Sequence, residues 1–203
     1  MLETIDSYIY TGVSFSTFSF DEASLLCVKY ALSKLRKKKY RALLKEALMR
    51  AEIFYPDEEQ VNYFLHGTLK ALKDATLLLS TDKKEIRLAE KFLGREVPYS
   101  RSFKIIDLSS EIRMKKACFI VRDQKEIHRY RYVIDYFDRY AIVDLQKIRK
   151  SENERTNGDT FLDEIKIRIL QDNDSEVFFI SAGILSNIVA GFLFSLNKMA
   201  IHL

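Results

Sequence analysis

Two groups of residues in this chain could together bind an anionic ligand and a metal ion. The first group is Asp21-Glu22, two adjacent carboxylates just before an amphipathic run. Adjacent side chains diverge on a helix and do not easily share one ion, but at a loop–helix junction one of these two carboxylates can hold a divalent ion together with a ligand's phosphates. Helix capping by Asp21, with Ser19 as the competing cap, is the simpler interpretation of the same residues. The sequence leaves both interpretations open.

The second group consists of Ser181, Ala182, Gly183 and Ile184, together with Ser186. The free N–H groups at the start of a helix favour a bound phosphate, and the Ser181 and Ser186 hydroxyls add further donors. Glycine at 183 permits a sharp reversal of the backbone and close approach of a ligand. A turn with a purely structural role is the alternative.

The elements that position this second group lie within residues 176–203. Val177–Ile180 has the β-branched and aromatic composition of a strand that is covered on both faces. From Ile184 onward apolar residues recur at helical spacing, and Met199–Leu203 is predicted to be the next strand. A helix that directly follows a strand starts at the carboxyl edge of the sheet, where open α/β sheets bind ligands.

The same C-terminal run also permits a different prediction. Residues 177–197 contain no charged side chain, and about 20 apolar residues are enough to cross a bilayer. A small protein with a C-terminal membrane anchor is therefore an alternative. Against it stand five small or polar residues within the run and weakly basic flanks: Ser181, Gly183, Ser186, Asn187 and Ser195.

Length and charge place the chain among ordinary globular proteins. Its 203 residues predict one domain, and 33 basic against 29 acidic residues give a formal net charge of +4. This excess is too small to indicate nucleic acid, but it fits an anionic small ligand or membrane surface. Cys27 and Cys118 lie far apart in apolar runs, which predicts buried thiols in a reducing compartment. Without a signal-peptide pattern, we expect a cytoplasmic protein, with peripheral membrane association as an alternative.

The order of predicted elements indicates an α/β fold. Residues 1–72 are mainly helical, and residues 73–203 alternate between strands and helices, which implies a Rossmann-like, mostly parallel sheet flanked by helices. Strands are predicted at 75–80, 117–121, 140–145, 177–180 and 199–203. Helices are predicted at 24–35, 40–53, 57–72, 83–94, 123–137 and 160–171, and from 184 onward. Residues 96–103 and 147–159 are predicted to be loops.

The remaining candidates for chemistry are few. His66, His128 and His202 lack metal-ligand spacing, and His202, at the end of the last strand, is the best placed of the three for a ligand. Asp144 ends a predicted strand and could bind a ligand or start a turn. The absence of GxSxG, Walker and GxGxxG motifs argues against a hydrolase or a P-loop enzyme.

Two further polar features have simple structural interpretations. Asp159 is expected to be the N-cap of the helix at 160–171. The run Arg36-Lys37-Lys38-Lys39 is the densest cluster of basic residues in the chain. A solvated helix end explains this run, with contact to a phosphate or a lipid headgroup as the alternative.

The C-terminal third resembles the GT-D-type bacterial glycosyltransferases. Their C-terminal unit is a helix, a strand, a small Gly-containing turn, a helix and a final strand, which reads here as FLDEIKIRIL followed by EVFFISAGILSNIVAGFLFSLNKMAIHL. Their N-terminal signature is similar to R-F-G-D-G-E-L, and the matching segment here is TFSFDEASLL, residues 17–26. Glu22 matches the Glu of that signature, whereas Phe20 stands in the position of its Asp unless Asp21 substitutes.

The resemblance implies a function. It implies transfer of a sugar from a nucleoside-diphosphate sugar to a glycan or glycoprotein acceptor. Asp21 and Glu22 would then hold Mn²⁺ or Mg²⁺, and residues 181–184 and Ser186 would bind the nucleotide sugar. It assigns no catalytic base. Thr17 replaces the Arg of the signature, and AIHL replaces the family's Asp-x-Gly. A catalytically silent partner of another glycosyltransferase subunit, or a homo-oligomeric scaffold, is therefore the alternative.

Overall fold

The computed structural model describes residues 14–51, 56–100, 113–151, 158–171 and 174–203. These residues form seven short strands at the centre of the fold, and every pairing among them is parallel. They are β1 (Thr17–Ser19), β2 (Leu77–Leu79), β3 (Tyr99–Ser100), β4 (Lys116–Val121), β5 (Arg139–Asp144), β6 (Val177–Ser181) and β7 (Met199–His202). The predicted α/β fold with a Rossmann-like parallel sheet is therefore confirmed.

The strands form two ladders, β5-β4-β6-β7 and β1-β2-β3, which meet along β7 and β1. Ser16 and Ala200 form a parallel bridge between them, and the Ala200 N–H donates to the Phe15 carbonyl at 2.9 Å. Strands from the two ends of the chain are thus neighbours. Because all strands are parallel, the carboxyl ends of β1, β6 and β7 lie at the same edge.

The described residues also form eight α-helices. They are α1 (Glu22–Leu32), α2 (Lys37–Arg50), α3 (Glu58–Asp74), α4 (Lys83–Leu93), α5 (Arg131–Ile134), α6 (Leu145–Ser151), α7 (Gly158–Gln171) and α8 (Ser186–Ser195). Two 3₁₀ segments, Gln124–Tyr130 and Gly183–Leu185, precede α5 and α8. The predicted helical character of the N-terminal part is confirmed by α1, α2 and α3.

Side chains along β4 and β6 point alternately to the two faces of the sheet, and an apolar cluster covers each face. Ile120 and Phe178 pack in a core built with α1, α2, α3 and α6–α8. Phe119 and Phe179 lie in a second cluster with residues of α5, and their rings stack with centroids 5.0 Å apart. This arrangement covers both faces of β4 and β6, as their continuous apolar composition requires.

Local signals in the sequence explain several helix boundaries. Asp21 caps α1, and Asp57 caps α3, each in a capping box with the residue three positions later. Gly94 ends α4 in the left-handed region with φ of 67°. The capping interpretation of Asp21 and the predicted end of the helix at 83–94 are confirmed, whereas Ser19, the competing cap, lies in β1.

Several sequence predictions were wrong in detail. Tyr99–Ser100 forms an edge strand inside a predicted loop, and residues 145–151 are helical where a strand end and a loop were expected. Asp159 is the second residue of α7 and not its N-cap. The predicted helix at 123–137 is mainly a 3₁₀ segment followed by a single α-helical turn. The strand and helix patterns here are too short for periodicity to fix their type.

The uncharged run at 177–197 does not form one long helix. It is divided among β6, a 3₁₀ turn and the ten-residue α8. Within the described parts of the chain, no helix has the length and apolar character needed to cross a membrane. The run is apolar because β6 and α8 are packed inside the fold. Cys27 and Cys118 are also fully buried, as predicted.

Candidate functional site

A cavity of about 360 Å³ lies where β1, β6 and β7 end. Ser19, Ser181 and His202, the last residues of these three strands, line it together with the first residues of α1 and the segment that leads into α8. Its volume is near the lower end of the range of about 300–1,000 Å³ that is typical of small-molecule sites. The position at the carboxyl edge of a parallel sheet is where α/β folds bind ligands.

The cavity brings together both groups that the sequence singled out. Six of the seven candidate residues line it: Asp21, Glu22, Ser181, Gly183, Ile184 and Ser186. The seventh, Ala182, is not among the lining residues and is only 1% exposed. Two segments about 160 residues apart in the chain therefore meet at one site.

The turn after β6 presents backbone N–H groups at this edge. Gly183 has φ of 58°, in the left-handed region, and a Cβ added there would meet no atom within 4 Å. The Ala182 N–H donates to Ser186 Oγ at 2.9 Å. Among the residues that the structure describes, none accepts a hydrogen bond from the N–H of Gly183 or of Ile184. These two N–H groups can therefore bind an acceptor supplied by a ligand.

The two serine hydroxyls at this turn also have partners in the fold. Ser181 Oγ lies 2.8 Å from the hydroxyl oxygen of Tyr130. Ser186 Oγ accepts from the Ala182 N–H and so holds the turn in shape. Both hydroxyls are fixed by these contacts, and each can still offer its remaining hydrogen-bonding capacity to a ligand.

Asp21 and Glu22 both make contacts that stabilise the start of α1. Asp21 Oδ1 accepts from the Ser24 N–H at 2.7 Å, and Glu22 Oε1 lies 2.6 Å from Arg50. Burial raises the pKa of Asp21 above its usual value, although the hydrogen bonds from Ser24 oppose this effect. The described residues contain no cluster of three or more His, Cys, Asp or Glu able to hold a metal. The donor set therefore fits an ion shared with a ligand's oxygens, and not a resident ion bound by protein alone.

Asn187 is a buried site residue that the sequence predictions did not include. Its Oδ1 accepts from the Ser19 N–H at 3.1 Å, and its Nδ2 donates to the Ser19 carbonyl at 2.8 Å. Asn187 thus takes the place of a strand partner at the end of β1 and fixes α8 to it. A polar residue that is buried within an apolar helix, at 2% exposure, is the signal that could have identified it.

His202, the histidine that the sequence indicated as best placed for a ligand, also lines the cavity. Its Nδ1 lies 2.8 Å from Thr17 Oγ1, and its backbone N–H donates to the same oxygen at 2.9 Å. The side chain is 5% exposed, and Nε2 is buried without a partner in the described part of the chain. Burial lowers the pKa of His202 to about 4, so the ring is neutral near pH 7.

The other candidates lie outside the cavity. His66 and His128 are exposed. Asp144 Oδ1 accepts from the N–H groups of Gln146 and Lys147 at 2.9 and 3.3 Å, so this residue starts the turn into α6.

Comparisons with protein-family models, curated proteins and solved structures find no match to this chain. The cavity is therefore interpreted from its own geometry.

Charge sets the strongest limit on the ligand. Among the described residues that line the cavity, Asp21 and Glu22 are the charged ones, and none is Lys or Arg. An anionic ligand would meet two carboxylates, of which Glu22 is paired with Arg50, a residue outside the cavity lining. Such a ligand requires a cation to accompany it, in addition to the N–H groups of Gly183 and Ile184.

Proposed function

We propose that this protein is glycosyltransferase-like and binds a nucleoside-diphosphate sugar in the cavity, for transfer of the sugar to a glycan or glycoprotein acceptor. The observation that carries the proposal is the meeting of Asp21 and Glu22 with the turn at 181–186 in one cavity at the carboxyl edge of the sheet. The family resemblance assigns both groups to the binding of a nucleotide sugar.

The proposal gives each part of the cavity a role. The N–H groups of Gly183 and Ile184 bind phosphate oxygens, and Asp21 or Glu22 would hold Mn²⁺ or Mg²⁺. When bound, the ion neutralises the negative charge that develops on the leaving diphosphate. His202 also lines the cavity, and its neutral ring adds no charge to the site.

A second candidate function is that of a catalytically silent partner, either for another glycosyltransferase subunit or in a homo-oligomer. It is favoured by a close parallel between α1 and α3. Asp57 caps α3 as Asp21 caps α1, and Glu58 pairs with Arg41 as Glu22 pairs with Arg50. The Asp-Glu pair of α3 lies outside the cavity lining, so the same arrangement can serve helix structure alone.

This parallel supplies a matched control for the test. Thermal unfolding is measured with nucleoside diphosphates and UDP-sugars, with and without Mn²⁺. At 100 times its dissociation constant, a ligand that binds the native state adds about 2.7 kcal/mol to stability. We expect a metal-dependent rise in melting temperature. The double variant Asp21→Asn/Glu22→Gln should lose this rise, whereas Asp57→Asn/Glu58→Gln should retain it. Asn is a good N-cap, so both helices keep their caps.

The possible outcomes separate the two functions. A metal-dependent rise that survives Asp21→Asn/Glu22→Gln shows that the metal site is elsewhere. A well-folded protein that shows no rise with any nucleotide favours the silent partner. Where a rise is found, release of the free nucleoside diphosphate from the sugar donor distinguishes an active transferase from a donor-binding protein.

A further inference from the structure

The segment that comprises α1, the loop after it and the first half of α2 carries an unusual concentration of positive charge. Residues 23–45 contain eight Lys or Arg and no Asp or Glu, although the whole chain has a formal net charge of only +4. The remainder of the chain therefore has an excess of acidic residues. Five of these cations fall within residues 34–39, here called the basic tip: Lys34, Arg36, Lys37, Lys38 and Lys39.

The cations of the basic tip are exposed and are not neutralised by the fold. All residues from 34 to 39 are exposed. Within the described residues, none of the five cations forms an ion pair. Lys37 instead lies over the Tyr30 ring, 5.4 Å from its centroid. The charge of the tip is thus available to an external anion.

The position of these cations is unfavourable for the free protein. Lys37, Lys38 and Lys39 form the first turn of α2, and this turn contains no acidic residue. The N-cap residue, Arg36, makes no capping hydrogen bond with its side chain. The N-terminus of a helix carries a partial positive charge, so each lysine there is repelled. An anionic surface in contact with the tip would remove this repulsion and would attract all five cations.

An aliphatic side chain lies in the centre of this charge. Leu35 is 97% exposed, the highest exposure among the large apolar residues that the structure describes as exposed. The phosphates of a nucleic acid provide no apolar environment for such a side chain. The boundary between lipid headgroups and acyl chains does, and it binds apolar side chains flanked by Lys and Arg. Tyr30, next to the tip, is an amphipathic residue that suits the same boundary.

The tip lies at the opposite end of α1 from the cavity. Helix α1 begins at Glu22 beside the cavity and runs for 11 residues, a length of about 16 Å. Helix α2 starts at the tip and returns, so that Ala47 again lines the cavity. A surface that holds the tip would therefore leave the cavity accessible.

We propose that the basic tip docks this protein on an anionic membrane surface, with Leu35 inserted among the headgroups and the five cations against lipid phosphates and carboxylates. Each Lys or Arg near such a surface contributes about 1 kcal/mol to the free energy of binding. Loss of three lysines is therefore worth roughly a hundredfold in affinity. Loss of the Leu35 side chain is worth about tenfold or more.

The test measures binding of the full chain to lipid vesicles. We expect co-sedimentation with phosphatidylcholine vesicles that contain phosphatidylserine, weakening as salt is raised, and no binding to phosphatidylcholine alone. Lys37→Gln/Lys38→Gln/Lys39→Gln should lose roughly a hundredfold in affinity. The control Lys83→Gln/Lys84→Gln/Arg87→Gln removes three exposed cations from the start of α4 and should bind as the unmodified protein does.

Insertion of Leu35 is tested separately. A polarity-sensitive dye on Leu35→Cys should shift to the blue with anionic vesicles, whereas the same dye on Leu170→Cys should not. Cys27 and Cys118 are 0% exposed and would not take up the dye. The proposal is overturned if anionic vesicles do not bind, or if the control triple variant loses as much affinity as the tip variant. It is also overturned if DNA or RNA binds the tip more tightly than the vesicles and Leu35→Ser has no effect.

Discussion

The buried His202 predicts a specific loss of stability in acid. The pKa of this imidazole falls from 6.5 to about 4 on folding, because burial disfavours its charged form. Between these two values the unfolded chain binds a proton that the native state does not, so the free energy of unfolding rises with pH across this window. This pKa difference contributes about 3 kcal/mol to the free energy of unfolding, and the contribution is lost progressively as pH falls from about 6.5 towards 4.

The matched variant is His202→Asn, whose amide can replace Nδ1 in the contact with Thr17 but does not titrate. Denaturant unfolding at a series of pH values gives the free energy of unfolding of both proteins. We expect the difference between them to change by about 3 kcal/mol between neutral pH and pH of about 4, in favour of the variant in acid. Asp21, whose pKa is raised by burial, has the opposite pH dependence, but it is present in both proteins and cancels. If the two curves run parallel, His202 is not buried in its neutral form.

Two further substitutions test how the cavity is built. Gly183→Ala places a Cβ on a residue with φ of 58° and should lower the free energy of unfolding by about 1–2 kcal/mol. The control Gly94→Ala lies outside the cavity at a φ of 67°. It should lower the free energy of unfolding by a similar amount but leave any nucleotide-dependent rise in melting temperature unchanged. Asn187→Ala removes the partners of the partly buried N–H and carbonyl groups of Ser19 and should cost about 1–3 kcal/mol, at about 0.5–1.5 kcal/mol for each hydrogen bond. An unchanged midpoint would mean that water replaces the amide.

The general fold could be predicted because its signals are local. The β-branched run at 177–180, the glycine at 183 and the helical spacing after it are found as β6, a left-handed turn and the helical segments that follow. The caps at Asp21 and Asp57 involve residues only three positions apart. Such signals depend on neighbours in the chain, and a single sequence contains them.

The pairing of β7 with β1 could not be predicted in the same way. It depends on Thr17 meeting His202 and on the bridge between Ser16 and Ala200, contacts that join opposite ends of the chain. The same reason explains why Asn187 was not recognised as a site residue. In the sequence it is one polar residue in an apolar run, and its role exists only because the end of β1 lies beside it.

The α1–α2 pair connects the two inferences about function. Helices α1, α3 and α4 each have a glutamate in the first turn, where it offsets the positive end of the helix. Helix α2 instead has three lysines there. Among these four described helices, α4 offsets its two first-turn lysines with Glu85, whereas α2 has no acidic residue in its first turn. Helix α2 therefore carries a local cost at that place. Local rules are most often broken at functional sites, and the cost disappears when the basic tip meets an anionic surface. Since α1 keeps carboxylates at the cavity and α2 keeps cations at the tip, the pair orients the cavity away from a membrane that holds the tip.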